Sequence, residues 1–74
     1  MNFSKEHIAA CIRANRARRR MSREALSEES GVPTATIAGY ENAENVPSLE
    51  NAWKLADAFD LDLDELFERR RKTA

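Results

Sequence analysis

Between Ser22 and Asn42 the chain reads SREALSEESGVPTATIAGYEN, and the Ser30-Gly31-Val32-Pro33 corner inside it constrains the fold more than any other feature. Glycine ends a helix in the left-handed conformation without a Cβ clash. Proline suits the first turn of a new helix, where its missing N–H has no partner anyway. The corner therefore predicts two short helices meeting at an angle. Ser22 caps the first, whose apolar positions are Ala25 and Leu26. The second runs from Pro33 to Glu41 and turns Ile37 and Tyr40 inward. It contains no lysine or arginine.

The flanking segments carry the same kind of punctuation. Ser4 is an N-cap with Phe3 just outside it, and Ile8 and Ile12 recur at helical spacing with Ala9 and Ala17 as small companions. A first helix is expected over Ser4 to Arg19. Pro47-Ser48 opens a fourth, in which Leu49, Ala52, Trp53, Ala56 and Phe59 stand at the spacing of a buried stripe. Asp60 closes it, since aspartate tolerates the left-handed conformation better than most residues. Asp62 and Glu65 form a capping box for a fifth helix that buries Leu63, Leu66 and Phe67. With no alternating strand pattern and no repeat, the expectation is one compact all-α domain over residues 1–74. Its core spans about 4–68, and a basic tail occupies 69–74.

At 74 residues, 42% hydrophobic and 34% charged, the composition suits a small helical globule near the size where one core is marginal. No apolar run approaches the roughly 20 residues of a membrane span, and no signal peptide is visible. Cys11 is the single cysteine, so no intramolecular disulfide can form; a reducing cytoplasm is expected. Net charge is −1, but its distribution is uneven. Six arginines and no acid lie between Arg13 and Arg23, eleven acids and one base between Glu24 and Glu65, and a second basic run spans Arg69 to Lys72. The arginine run has two readings: a patch for a polyanion, or a solvated helix end facing the dipole.

Catalysis and metal binding find little support. His7 and Cys11 stand at i, i+4, but no other histidine or cysteine could complete a metal site. The acids from Asp57 to Glu65 lack the ligand spacing and glycine of a calcium loop. No nucleophile–base arrangement or phosphate-cradling loop is present. The expectation is a protein that is not an enzyme, with no cofactor, no metal, no small-molecule substrate and no membrane partner.

Two short helices joined by a glycine-centred corner fit helix-turn-helix geometry. The ordered stretches IRANR, MSREALSEESGV, TIAGYEN, PSLENAWKLADAF and LDLDELF together resemble the phage-repressor or Cro-type helix-turn-helix domains, also called the xenobiotic-response-element type. The resemblance covers about residues 8 to 67. It implies a five-helix lambda-repressor-like fold that binds double-stranded DNA, with the third helix in the major groove. It also implies a structural ion pair between Arg16 and Glu41.

By the same resemblance Arg23, Thr34, Ala35, Thr36 and Gly39 face the bases, while Arg18, Arg19, Arg20, Asn42 and Asn45 take phosphates. The sequence departs from the family at Arg23, where a glutamine is usual, and at Ala43-Glu44, where glycine and a base are common. Gly39 is open to two explanations, close approach to DNA or a partner, and an unselected exposed position. The reading that follows is a transcriptional regulator acting as a homodimer on operator DNA, with Trp53, Leu61, Leu63 and Phe67 as dimer candidates. The alternative is a protein-interaction module on the same fold, whose protein partner does the reading.

Overall fold

The computed structural model describes residues 4–68. The basic run from Arg69 onward lies outside them, as does Phe3. Five helices follow one another: α1 Lys5–Arg18, α2 Arg23–Ser30, α3 Thr34–Glu41, α4 Leu49–Ala58 and α5 Leu63–Leu66. No strand interrupts them among the described residues.

Local capping explains where four of them start. The Ser4, Ser22 and Ser48 hydroxyls accept from the backbone N–H of His7, Ala25 and Asn51 at 3.0–3.1 Å. Asp62 and Glu65 close the capping box in both directions, at 2.7 and 3.0 Å. α3 is different. Pro33 is its N-cap rather than part of its first turn, because an extended ψ of 145° leaves it only its carbonyl to offer. No side chain caps that end, so its first N–H groups lack the acceptor that the other four helices have.

The helix ends share a device that the sequence showed only in part. Arg20, Gly31, Ala43, Asp60 and Glu68 all have positive φ, between +51° and +79°. At three of them the N–H two residues past the C-cap returns to the last turn: Met21 to Arg16, Glu44 to Gly39 and Leu61 to Ala56, at 2.9–3.0 Å. This is the Schellman arrangement, in which glycine normally takes the left-handed place. Here Arg20, Ala43 and Asp60 take it, and the left-handed glycine, Gly31, caps α2 without that return bond.

α3 packs against α1 and α2, α4 against α2 and α5, and α5 against α1. The core gathers Ile12, Leu26, Val32, Ile37, Leu55, Phe59 and Leu66, each at most 1% exposed. α4 departs from expectation. Its buried stripe is Ala52, Leu55, Ala56 and Phe59, while Leu49 and Trp53 are 65% and 55% exposed. Both stripes satisfy helical spacing; contact with α2 on one side and α5 on the other selects the one holding Leu55.

Asn15 is buried within α1 and ties that helix to α5. Its amide donates to the Cys11 carbonyl at 2.9 Å and the Leu66 carbonyl at 3.5 Å. Its oxygen accepts from Arg19 at 3.1 Å and Arg18 at 3.3 Å.

Candidate nucleic-acid interface

The organising group is a carboxylate. Glu41, in the last turn of α3, is 1% exposed, and Arg16 of α1 reaches it with two donors, Nε to Oε2 at 2.8 Å and Nη2 to Oε1 at 3.0 Å. This is the fork geometry in which arginine matches a carboxylate. Arg16 also donates to the Met21 carbonyl at 2.9 Å, which fixes the α1–α2 corner. Arg23, the first residue of α2, places its Nε 2.8 Å from Glu41 Oε1. Arg13 donates from Nη1 to the Glu41 backbone carbonyl. Three helices thus converge on one residue.

Burial would by itself raise the Glu41 carboxyl, but hydrogen bonds from Arg16 and Arg23, with their charges, outweigh it. They hold the carboxyl below the ordinary carboxylate range. The Arg16 guanidinium is correspondingly held above its usual value, chiefly by its hydrogen bond to Glu41. Arg23 keeps 36% of its side chain exposed at the edge of α3.

The arginine run divides because successive helical residues point about 100° apart. Arg13 and Arg16 reach α3. Arg18 and Arg19, expected to join a phosphate-binding cluster, lean to the other flank of α1. Arg18 faces Glu68 at 3.8 Å. Arg19 donates to the Phe59 carbonyl at 2.6 Å and stacks 5.1 Å above the Phe59 ring, closing the end of α4. The exposed Arg20 side chain takes no hydrogen-bond or ion-pair partner among the described residues. Arg13, which the sequence reading did not single out, stands nearer α3 than either Arg18 or Arg19; its i, i+3 spacing from Arg16 was the available signal.

On α3 the inner face is Ile37, Tyr40 and Glu41, all buried, with the Tyr40 hydroxyl accepting from the Asn51 amide at 2.9 Å. Ala35 and Asn42 are exposed, and Thr34 and Thr36 are half-buried on either side. Gly39 is buried although it lies on the outer side. A Cβ built there would meet the Asn45 side-chain amide nitrogen at 3.1 Å and a Glu44 carboxylate oxygen at 3.8 Å. The glycine therefore makes room for the loop that follows α3.

The dimer candidates also separate. Phe67 is 8% exposed and belongs to the core, with Leu61 and Leu63 half-buried against it. All three pack on the core where α5 meets α1 and α4. Trp53 stays exposed, joined by Val46 at 51% and Leu49. Beside Leu49 an apolar groove of about 330 Å³ runs past Ile8, Pro47 and Leu63. On α1, the His7 Nε2 lies 2.6 Å from the Phe67 carbonyl and 3.5 Å from the buried Cys11 sulfur. Burial, then Glu68, raise that thiol. No group of three or more His, Cys, Asp or Glu side chains converges on a metal-sized site among the described residues, and no described helix is long and apolar enough to cross a membrane.

Comparison with known proteins agrees with this architecture. Cryptic phage CTXphi transcriptional repressor RstR of Vibrio cholerae is 37% identical over 41 residues, which is 55% of this chain and 37% of RstR. The uncharacterized HTH-type transcriptional regulator YgzD of Bacillus subtilis is 38% identical over 56 residues, 76% of this chain and 85% of YgzD. The crystal structure of an HTH_3 family transcriptional regulator from Vibrio cholerae superposes with a TM-score of 0.83 at 26% identity, over 88% of this chain and 36% of that one. The chain thus spans just over a third of RstR and of the crystallised regulator, and most of YgzD. Residues 12–66 match the helix-turn-helix family itself, and the chain belongs to that family, in its phage-repressor or Cro type.

Proposed function

We propose that this domain is a DNA-binding transcriptional regulator that reads operator DNA with α3 and acts as a homodimer. The observation that carries the reading is the convergence of Arg13, Arg16 and Arg23 on Glu41. It clamps the end of α3 to α1 and α2 and leaves a helix whose own outer residues are uncharged beside a partly exposed guanidinium. Phosphates then supply affinity through Arg13, Arg20 and Asn42. The uncapped N–H groups at the start of α3 suit a further phosphate, because a helix N-terminus carries positive partial charge. Thr34, Ala35 and Thr36 offer hydroxyl and methyl groups to base edges, and Arg23 stands close enough to add a charged contact.

The homodimer rests on Val46, Leu49 and Trp53, large apolar side chains left in solvent on one stretch of chain. Such a patch marks a contact surface. Two-fold pairing through it would set half-sites about 34 Å apart.

Titration with labelled random duplex at about 50 mM and about 200 mM salt tests the reading. Binding that falls steeply with salt supports it. Absence of binding at the lower concentration overturns it in favour of a protein-interaction module on the same fold.

A further inference from the structure

We infer that Asn45, from the loop after α3, is a base-reading residue that stands in for the missing side chain of Gly39 and takes an adenine. The inference rests on the DNA-binding reading above and adds a specificity determinant to it.

At about 100° per residue, position 39 lies roughly 200° around α3 from Ile37, opposite the buried face. With Ala35 and Asn42 it forms the helix's outermost stripe. A residue there should be exposed, yet Gly39 is buried. What covers it is the loop. The N–H groups of Glu44 and Asn45 both donate to the Gly39 carbonyl, at 2.9 and 3.3 Å, and Ala43 turns the chain back with φ of +60°. That turn lays the Asn45 amide nitrogen 3.1 Å from where the Gly39 Cβ would be, while Asn45 itself stays exposed. The outer stripe of α3 is therefore completed by a carboxamide supplied from the loop.

The chemistry selects the ligand. A carboxamide presents one donor and one acceptor side by side, which pairs with N7 and N6 of adenine in the major groove. The Glu44 carboxylate beside it, 3.8 Å from the same Cβ position, repels a phosphate. It does not repel the amine of a base edge. Asn45 is thus better placed against a base than against the backbone.

The test is selection of preferred sites from a random duplex pool by the wild-type domain, Asn45→Ala and Gly39→Met, with circular dichroism to establish that each folds. Asn45 is exposed, and the methionine would displace only the free end of its side chain. Wild type is expected to show an adenine preference at one position per half-site. Asn45→Ala should lose that preference by about tenfold while keeping its affinity for random duplex, and Gly39→Met should lose the same preference. An Asn45→Ala profile identical to wild type, or one weakened equally on selected and random DNA, overturns the assignment alone. Failure of wild type to bind any duplex overturns the DNA-binding reading together with it.

Discussion

The buried Glu41 carboxylate and the partly exposed Arg23 guanidinium meet at 2.8 Å, and the oxygen that Arg23 uses also accepts from Arg16. One buried charge therefore has two partners of unequal exposure, 24% for Arg16 and 36% for Arg23. Removing one should leave the other in place. Arg23→Met is expected to destabilise by about 1 kcal/mol and Arg16→Met by about 2, since the second guanidinium still meets the carboxylate. The double variant should lose about 5 kcal/mol, more than the sum, because Glu41 then stays buried without a countercharge. Urea denaturation of the three variants measures the coupling, and strict additivity would refute it.

The same carboxylate predicts an acid limb. Its folded pKa lies below the unfolded value near 4.3, so its contribution is present above that value and fades as pH falls through the folded pKa. Stability measured between about pH 5 and pH 2 should therefore decline more steeply for wild type than for Glu41→Gln, whose amide does not titrate. Parallel curves would show that other carboxylates dominate.

Left-handed residues give a third prediction. An L-residue with a Cβ in that conformation costs roughly 1 kcal/mol that glycine avoids. Ala43→Gly and Arg20→Gly should each stabilise by about that amount and raise the melting temperature by about 4–8 °C in a domain of this size. Arg20→Gly should also lower the salt slope of DNA binding by about one unit, because a phosphate contact goes with it. Arg19→Ala should do the reverse, destabilising through the lost hold on Phe59 and leaving the slope unchanged. Calorimetry and a salt series separate the two arginines.

The exposed apolar patch supplies the fourth. Trp53→Arg should convert a dimer to a monomer in sedimentation without changing the helical content, since the ring is outside the core. Leu63→Arg, in contrast, should disturb the fold itself. Wild type sedimenting as a monomer at high micromolar concentration, with and without operator, would remove the homodimer from the proposal.

Helix starts were legible because a serine or aspartate acts on N–H groups within its own turn, as Ser4, Ser22, Ser48 and Asp62 do. Gly31 and Asp60 were legible for a similar local reason. Arg20 and Ala43 were not, because their left-handed conformation is imposed by the packing of the helices on each side. The inner stripe of α4 was ambiguous for the same cause: Leu55 and Trp53 compete for one face, and only the neighbouring helices decide between them. The family resemblance puts Arg23 at the groove, but its ion pair joins residues 18 apart in sequence, with nothing local to announce it. Gly39 was the most misleading position. Its explanation lies in a loop that folds back, which no helical pattern encodes.

The clamp at Glu41 has a consequence for how such a domain diversifies. The groups that seat α3, namely Ile37, Tyr40 and Glu41, share no side-chain contact with Thr34, Ala35 or Thr36 among the described hydrogen bonds and ion pairs. On the proposed reading, a lineage can exchange the exposed Ala35 and acquire a new operator while the hold of Arg16 and Arg23 on Glu41 keeps α3 seated.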